Sequence, residues 1–139
     1  MKYYEELIMK HYKNPCFHYE MEEAVTHTED NPLCGDKVTL FLEGSSEKMN
    51  VSFRGECCAI SMASSSIMAK LTNGKSKDEI AEIFEEFYAT MAGEETDREE
   101  LSALGMLRKY PVRKKCVHLP WAAFSRCVEK NSEVRGFIQ

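Results

Sequence analysis

Tyr4, Leu7, Ile8, His11 and Tyr12 recur at helical spacing across residues 3–13, which predicts an amphipathic first helix. Asn14-Pro15 ends it, because the residue before a proline is pushed out of the helical region. Residues 14–36 carry two Asn-Pro steps and little periodicity. They are expected to form a long irregular segment, of the kind that is functional or mobile inside a compact domain. Val38, Leu40 and Leu42 then alternate with Lys37, Thr39 and Phe41, and Met49, Val51 and Phe53 alternate with Asn50, Ser52 and Arg54. Joined by Gly44-Ser45-Ser46-Glu47-Lys48, the two runs predict a hairpin with one half-buried face, and Gly55-Glu56-Cys57-Cys58 is expected to be the turn out of it.

Ile60, Ser64, Ile67, Met68 and Leu71 share one face of the next predicted helix, which Asn73-Gly74 closes. Ser76-Lys77-Asp78-Glu79 fits a capping box opening a helix with Ile80, Ile83, Phe84, Phe87, Tyr88 and Met91 inward. Residues 94–100 are nearly all charged and expected to be solvated. Leu101, Leu104, Met106 and Leu107 predict a short helix, and 112–130 a last helix carrying Cys116, Leu119, Ala123 and Cys127. Pro120 removes a backbone donor there and should kink or restart it. Helix, hairpin, then helices is an α+β layout: a small antiparallel sheet with helices packed on one face.

With 139 residues, no repeat and no Gly/Ser- or Pro-rich linker, the chain is expected to be a single domain spanning 1–139. Its net charge of -5 presents no basic face for nucleic acid. Charges stand where a signal peptide would be apolar, and no segment approaches the roughly 20 apolar residues of a membrane span, so a cytoplasmic protein without a membrane partner is expected. Six cysteines in a reducing compartment argue for metal binding or thiol chemistry rather than a disulfide frame.

Cys34-Gly35-Asp36 sets two candidate ligands around a glycine that lets the backbone bend about an ion. Cys58 begins a predicted helix, where unpaired amides and the helix dipole favour a thiolate. Cys116 follows Arg113-Lys114-Lys115, whose positive charge is expected to do the same. Three thiolates and a carboxylate suit a four-coordinate zinc site, and the hard carboxylate ligand suggests one that exchanges. Spacing alone is equally compatible with scattered buried cysteines, since free cysteine often packs as a small hydrophobe.

Among the other polar residues, Cys127 is read as a core residue, His118 as solvated, and His11, His18 and His27 as surface or capping residues rather than ligands. Ser64-Ser65-Ser66 has no nucleophile elbow around it. The acidic stretch from Asp78 to Glu100 is read as a solvated face.

Asn31-Pro32-Leu33-Cys34-Gly35-Asp36, the run from Phe53-Arg54-Gly55-Glu56-Cys57-Cys58 to Ser66, Arg113-Lys114-Lys115-Cys116 and the opening His11-Tyr12-Lys13-Asn14-Pro15 resemble the NifU/IscU/SufU family of iron–sulfur cluster assembly proteins. The resemblance is closest to the SufU branch: residues 93–110 are similar to its insertion, and Lys115 stands where IscU-type scaffolds carry histidine. It implies a SufE/NifU-like α+β fold with Cys34, Asp36, Cys58 and Cys116 as metal ligands. It further implies a bound Zn2+, and Cys34 as the thiol that takes persulfide sulfur from a SufS-like cysteine desulfurase. The irregular segment 14–36 would supply the mobility, and other iron–sulfur assembly proteins would act downstream. The alternative it implies is an IscU-type scaffold building a transient [2Fe-2S] cluster on the same ligands. Cys57 stands where the family usually has glycine, and Cys16 where it often has arginine; their roles stay open.

Overall fold

The computed structural model describes residues 2–32 and 34–130. Residues 1, 33 and 131–139, part of the expected 1–139 domain, lie outside them. The elements run α1 (Lys2–Lys13), β1 (Val25–Asn31), β2 (Asp36–Gly44), β3 (Met49–Glu56), α2 (Ala59–Thr72), α3 (Lys77–Met91), α4 (Glu99–Gly105) and α5 (Pro111–Glu129). The three strands form one antiparallel sheet in the order β1-β2-β3. Val38, Leu40, Leu42, Met49, Val51 and Phe53 are fully buried, as their alternation predicts, and α2 and α5 pack on the sheet. Gly55 and Glu56, expected in a turn, still pair with Val38 and Lys37.

β1 lies inside the stretch expected to be irregular. Its sequence, VTHTEDN, contains one aliphatic side chain, so its alternation is between half-buried and exposed polar groups rather than apolar and polar ones. Val25, His27 and Glu29 are the half-buried set. α5 holds the strand: Cys127 Sγ donates to the Val25 carbonyl at 3.3 Å, and Arg126 pairs with Glu29. This pairing is tertiary and leaves little local signal. Of the expected irregular segment, residues 14–24 stay irregular apart from a single bridge between His18 and Phe53, while Asn31 and Asp36 pair across the end of the β1–β2 hairpin.

α2 is buried nearly all round, from Ala63 to Ala69, because α1, α5 and β3 all pack on it. Its serines solve the polar problem this creates. Ser64 Oγ donates to the Val117 carbonyl at 2.7 Å and accepts from Trp121 Nε1 at 3.0 Å, and Ser65 Oγ donates to the Ser61 carbonyl at 2.7 Å. The Ser76 capping box opens α3 as predicted. α3 meets α5 through aromatic rings, with Phe87 stacked on Trp121 at 3.9 Å and Phe84 edge-on to it at 5.0 Å. Tyr88, expected inward, is 40% exposed.

Three further expectations change. His11 is a core histidine: Nδ1 lies 2.7 Å from Ser66 Oγ and Nε2 2.9 Å from Glu100 Oε2. Glu100 therefore leaves the solvated acidic run, pairing also with Lys70 at 2.7 Å. α5 is one continuous helix through the buried Pro120, so the restart expected there does not occur.

Candidate metal centre

Four elements converge at one end of the sheet. Cys34 sits in the β1–β2 loop, where the amides of Cys34 and Gly35 both donate to the Asn31 carbonyl, at 3.1 and 2.9 Å. Gly35 turns the chain with φ +72°, a left-handed conformation that only glycine adopts cheaply, and sets Asp36 at the start of β2. A Cβ there would meet nothing within 4 Å, so the glycine is required by backbone conformation and not by space.

Cys58 is the N-cap of α2, and its Sγ accepts from the Ser61 amide at 3.5 Å. Its own amide donates to Asp36 Oδ1 at 3.0 Å. The carboxylate thus lies at the amino end of α2, where the helix dipole favours negative charge. Asp36 Oδ2 accepts from Ser61 Oγ at 3.1 Å and faces Cys116 Sγ at 3.7 Å.

The ligand atoms of Cys34, Asp36 and Cys116 all lie within 4.8 Å of one another. Tetrahedral zinc with bonds of about 2.0–2.3 Å sets neighbouring ligand atoms about 3.3–3.8 Å apart, so these residues need contract by roughly 1 Å at most. The Asp36–Cys116 pair already has that separation. The donor set, sulfur with one carboxylate oxygen, fits a divalent metal of zinc type. Cys58 stands outside this trio but borders two of its members, through its amide to Asp36 and its sulfur beside Cys116.

The four residues differ sharply in exposure. Asp36 and Cys116 are 4% exposed, Cys58 is half-buried, and Cys34 is the one exposed cysteine of six. The expectation that Arg113-Lys114-Lys115 would favour a Cys116 thiolate meets a larger opposing effect. Burial pushes the Cys116 thiol up to about 12, and the Cys58 sulfur and Asp36 carboxylate add to it. Arg113, Lys114 and Lys115 point into solvent, Arg113 lying over the Tyr110 ring at 5.2 Å. Burial wins because loss of hydration acts on the sulfur itself, whereas exposed cations are screened by water.

The remaining candidates fall outside the centre. Cys57 is half-buried against the core, and burial, then the charges of Asp36 and Cys58, raise its thiol to about 12. Cys127 is fully buried, as expected. The Cys16 amide donates to Ser66 Oγ at 2.7 Å, on the other side of α2's buried serines. His118, expected in solvent, is half-buried against Phe87 and Tyr88, and burial followed by Lys114 lowers its pKa. His18 stacks on Phe53 and His27 pairs with Glu29. Sequence reasoning missed Ser61, whose position in the first helical turn, three residues after an N-cap cysteine, was the available signal.

This fold and this cluster define the class: the chain belongs to the family of NifU-like N-terminal domains, whose pattern matches residues 3–117. It is 35% identical over 133 residues to the zinc-dependent sulfurtransferase SufU of Bacillus subtilis strain 168, covering 91% of this chain and 90% of that protein. It is 29% identical over 137 residues to the iron–sulfur cluster assembly scaffold protein IscU of Streptococcus pyogenes serotype M1, covering 95% and 86%. Among solved structures, FiSufU of Fervidobacterium islandicum AW-1, a candidate iron–sulfur cluster assembly scaffold of a SUF system, superimposes with a TM-score of 0.77. Its identity is 34%, over 87% of this chain and 93% of that one. No helix among the described residues is long and apolar enough to cross a membrane.

Proposed function

We propose that this chain is a SufU-type sulfur acceptor of iron–sulfur cluster assembly, holding zinc on Cys34, Asp36, Cys58 and Cys116 and taking persulfide sulfur from a cysteine desulfurase on Cys34. The observation that carries the reading is the contrast in exposure. Among six cysteines only Cys34 is exposed, and it belongs to the cluster whose other two members are buried. Cys34 is thus the cysteine most open to a partner's persulfide, Cys16, Cys57 and Cys58 being partly buried and Cys116 and Cys127 buried. Bound zinc would keep the ligating thiols deprotonated and protected from oxidation between encounters.

The transfer itself needs no oxidant. The Cys34 thiolate attacks the outer sulfur of the partner's cysteine persulfide, and a new S–S bond forms as the partner's S–S bond breaks. The partner cysteine leaves as a thiolate, and Cys34 becomes the persulfide. The short loop between paired Asn31 and Asp36 presents Cys34 for this while the sheet stays in register. Asp36 and Cys116 stay anchored, the first to the Cys58 amide and Ser61, the second within α5. The persulfide would then pass to downstream iron–sulfur assembly proteins. The similarity to the Bacillus sulfurtransferase supports this reading.

The test is incubation of the zinc-loaded chain with a SufS-like desulfurase and cysteine, followed by mass spectrometry of the peptides. One extra sulfur on the Cys34 peptide, absent in Cys34→Ser, is expected. Turnover stimulated equally by Cys34→Ser would overturn the assignment.

A second reading, a scaffold for a transient [2Fe-2S] cluster, is favoured by three thiols at one place and by the similarity to IscU proteins. Anaerobic reconstitution giving a visible-absorbing cluster that passes to an apo-ferredoxin would select it.

A further inference from the structure

Ser61 is fully buried in the first turn of α2. Its Oγ lies 3.1 Å from Asp36 Oδ2 and 3.1 Å from the Cys116 carbonyl, so its one proton is shared between two acceptors, and Cys58 Sγ is 3.6 Å away. One hydroxyl therefore touches three of the four proposed ligand residues, which come from β2, the start of α2, and α5. The Cys116 carbonyl has special need of it. That oxygen would ordinarily accept from the amide four residues on, and position 120 is proline, which has none.

We propose that Ser61 is a positioning residue of the metal centre: its hydroxyl ties the Asp36 carboxylate to the Cys116 backbone, so that ligand atoms from separate elements are already in place when a metal arrives. The inference rests on the reading of Cys34, Asp36, Cys58 and Cys116 as the zinc ligands. It differs from general support of the core. Ser65, one turn on and equally buried, spends its hydroxyl on its own helix, at the Ser61 carbonyl. Ser64 spends its hydroxyl on the Val117 carbonyl and receives Trp121. Among the described residues neither hydroxyl bonds a ligand side chain, whereas Ser61 holds a ligand carboxylate directly. Such outer partners orient the ligands and set the retention of the metal, typically by 10–100-fold when they are removed.

The experiment measures zinc affinity by competition with a chromophoric chelator for the wild type, Ser61→Ala, Ser61→Thr and Ser65→Ala, together with the thermal midpoint of each metal-free chain. Ser61→Ala should bind zinc about 10–100-fold more weakly. Ser61→Thr, which keeps the hydroxyl, should recover most of that loss, and Ser65→Ala should bind like the wild type even where its midpoint falls. Unchanged affinity in Ser61→Ala, or an equal loss in Ser65→Ala, would overturn the inference. Should Ser61→Ala fail to fold, NMR of the zinc-loaded wild type decides. A Ser61 hydroxyl proton protected from exchange supports the role, and one exchanging like a solvated serine overturns it. A wild-type chain that binds no zinc would instead bring down the functional reading, and this inference with it.

Discussion

Pro120 and Ser61 meet at one carbonyl. Pro120 cannot donate to the Cys116 oxygen four residues before it, and Ser61 Oγ, from a different helix, lies 3.1 Å from that oxygen and shares its one proton between it and Asp36 Oδ2. A break in one helix is thereby converted into a bond between two, at the residue that supplies a candidate ligand.

This relationship predicts energetic coupling. Pro120→Ala restores the missing amide, so the Cys116 carbonyl no longer depends on Ser61. In a double-mutant cycle on the metal-free chain, Ser61→Ala should cost about 1 kcal/mol less in the Pro120→Ala background than in the wild type. Urea unfolding of the four chains measures it, and additive costs would show that the carbonyl is not shared.

The adjacent thiols should behave differently. Cys58 caps α2 and its amide holds Asp36, whereas Cys57 packs against the core edge. Cys57→Ala should keep close to one zinc per chain and lose only about 1 kcal/mol or less of stability. Cys58→Ala should lose most of the metal. Elemental analysis of the chains as purified, with no metal added, decides; metal loss in Cys57→Ala would exchange the two roles.

High pH should destabilise the metal-free chain. Cys57, Cys116 and Cys127 are each held by burial as thiols up to about 12, above their ordinary value of 9.0. Between these values the unfolded chain has released protons that the folded chain keeps. Stability is therefore full below pH 9 and falls as pH rises towards 12. Denaturant midpoints across that range should decline, and less steeply in Cys127→Ala. If zinc binds as proposed, it displaces the Cys116 proton at neutral pH, so calorimetry in buffers of different ionisation enthalpy should show proton release on binding.

Low pH should act through a different residue. The His11 hydrogen bond, and then Lys70, hold the Glu100 carboxyl down to about 2 from an ordinary 4.5. That contribution is complete above pH 4.5 and is lost as pH falls towards 2. Glu100→Gln, with a neutral acceptor in place of a charged one, should cost about 1 kcal/mol at pH 7 and flatten the acid limb of the stability curve. An acid limb unchanged in Glu100→Gln would assign it to other carboxylates.

Much of this protein was settled by the order of its residues alone. Alternation of Val38, Leu40 and Leu42 and of Met49, Val51 and Phe53 gave β2 and β3, although Phe41 and Ser52, between them on the other face, are buried as well, and Ser76-Lys77-Asp78-Glu79 placed the start of α3. The motifs around Cys34, Cys58 and Cys116 carried the family and the candidate ligands. Tertiary structure decided what local pattern cannot encode. β1 is a strand because β2 and α5 hold it, although its own side chains are mostly polar. His11 is a core residue because Ser66 and Glu100, 55 and 89 positions away, satisfy both its nitrogens. Burial pushes the Cys116 thiol up despite the three cations that precede it, because hydration depends on what packs around a sulfur and not on which charges precede it in the chain. Ser61 took its place at the centre for the same reason: a hydroxyl's partners are chosen by the packing of α2 against α5, which no spacing along the sequence states.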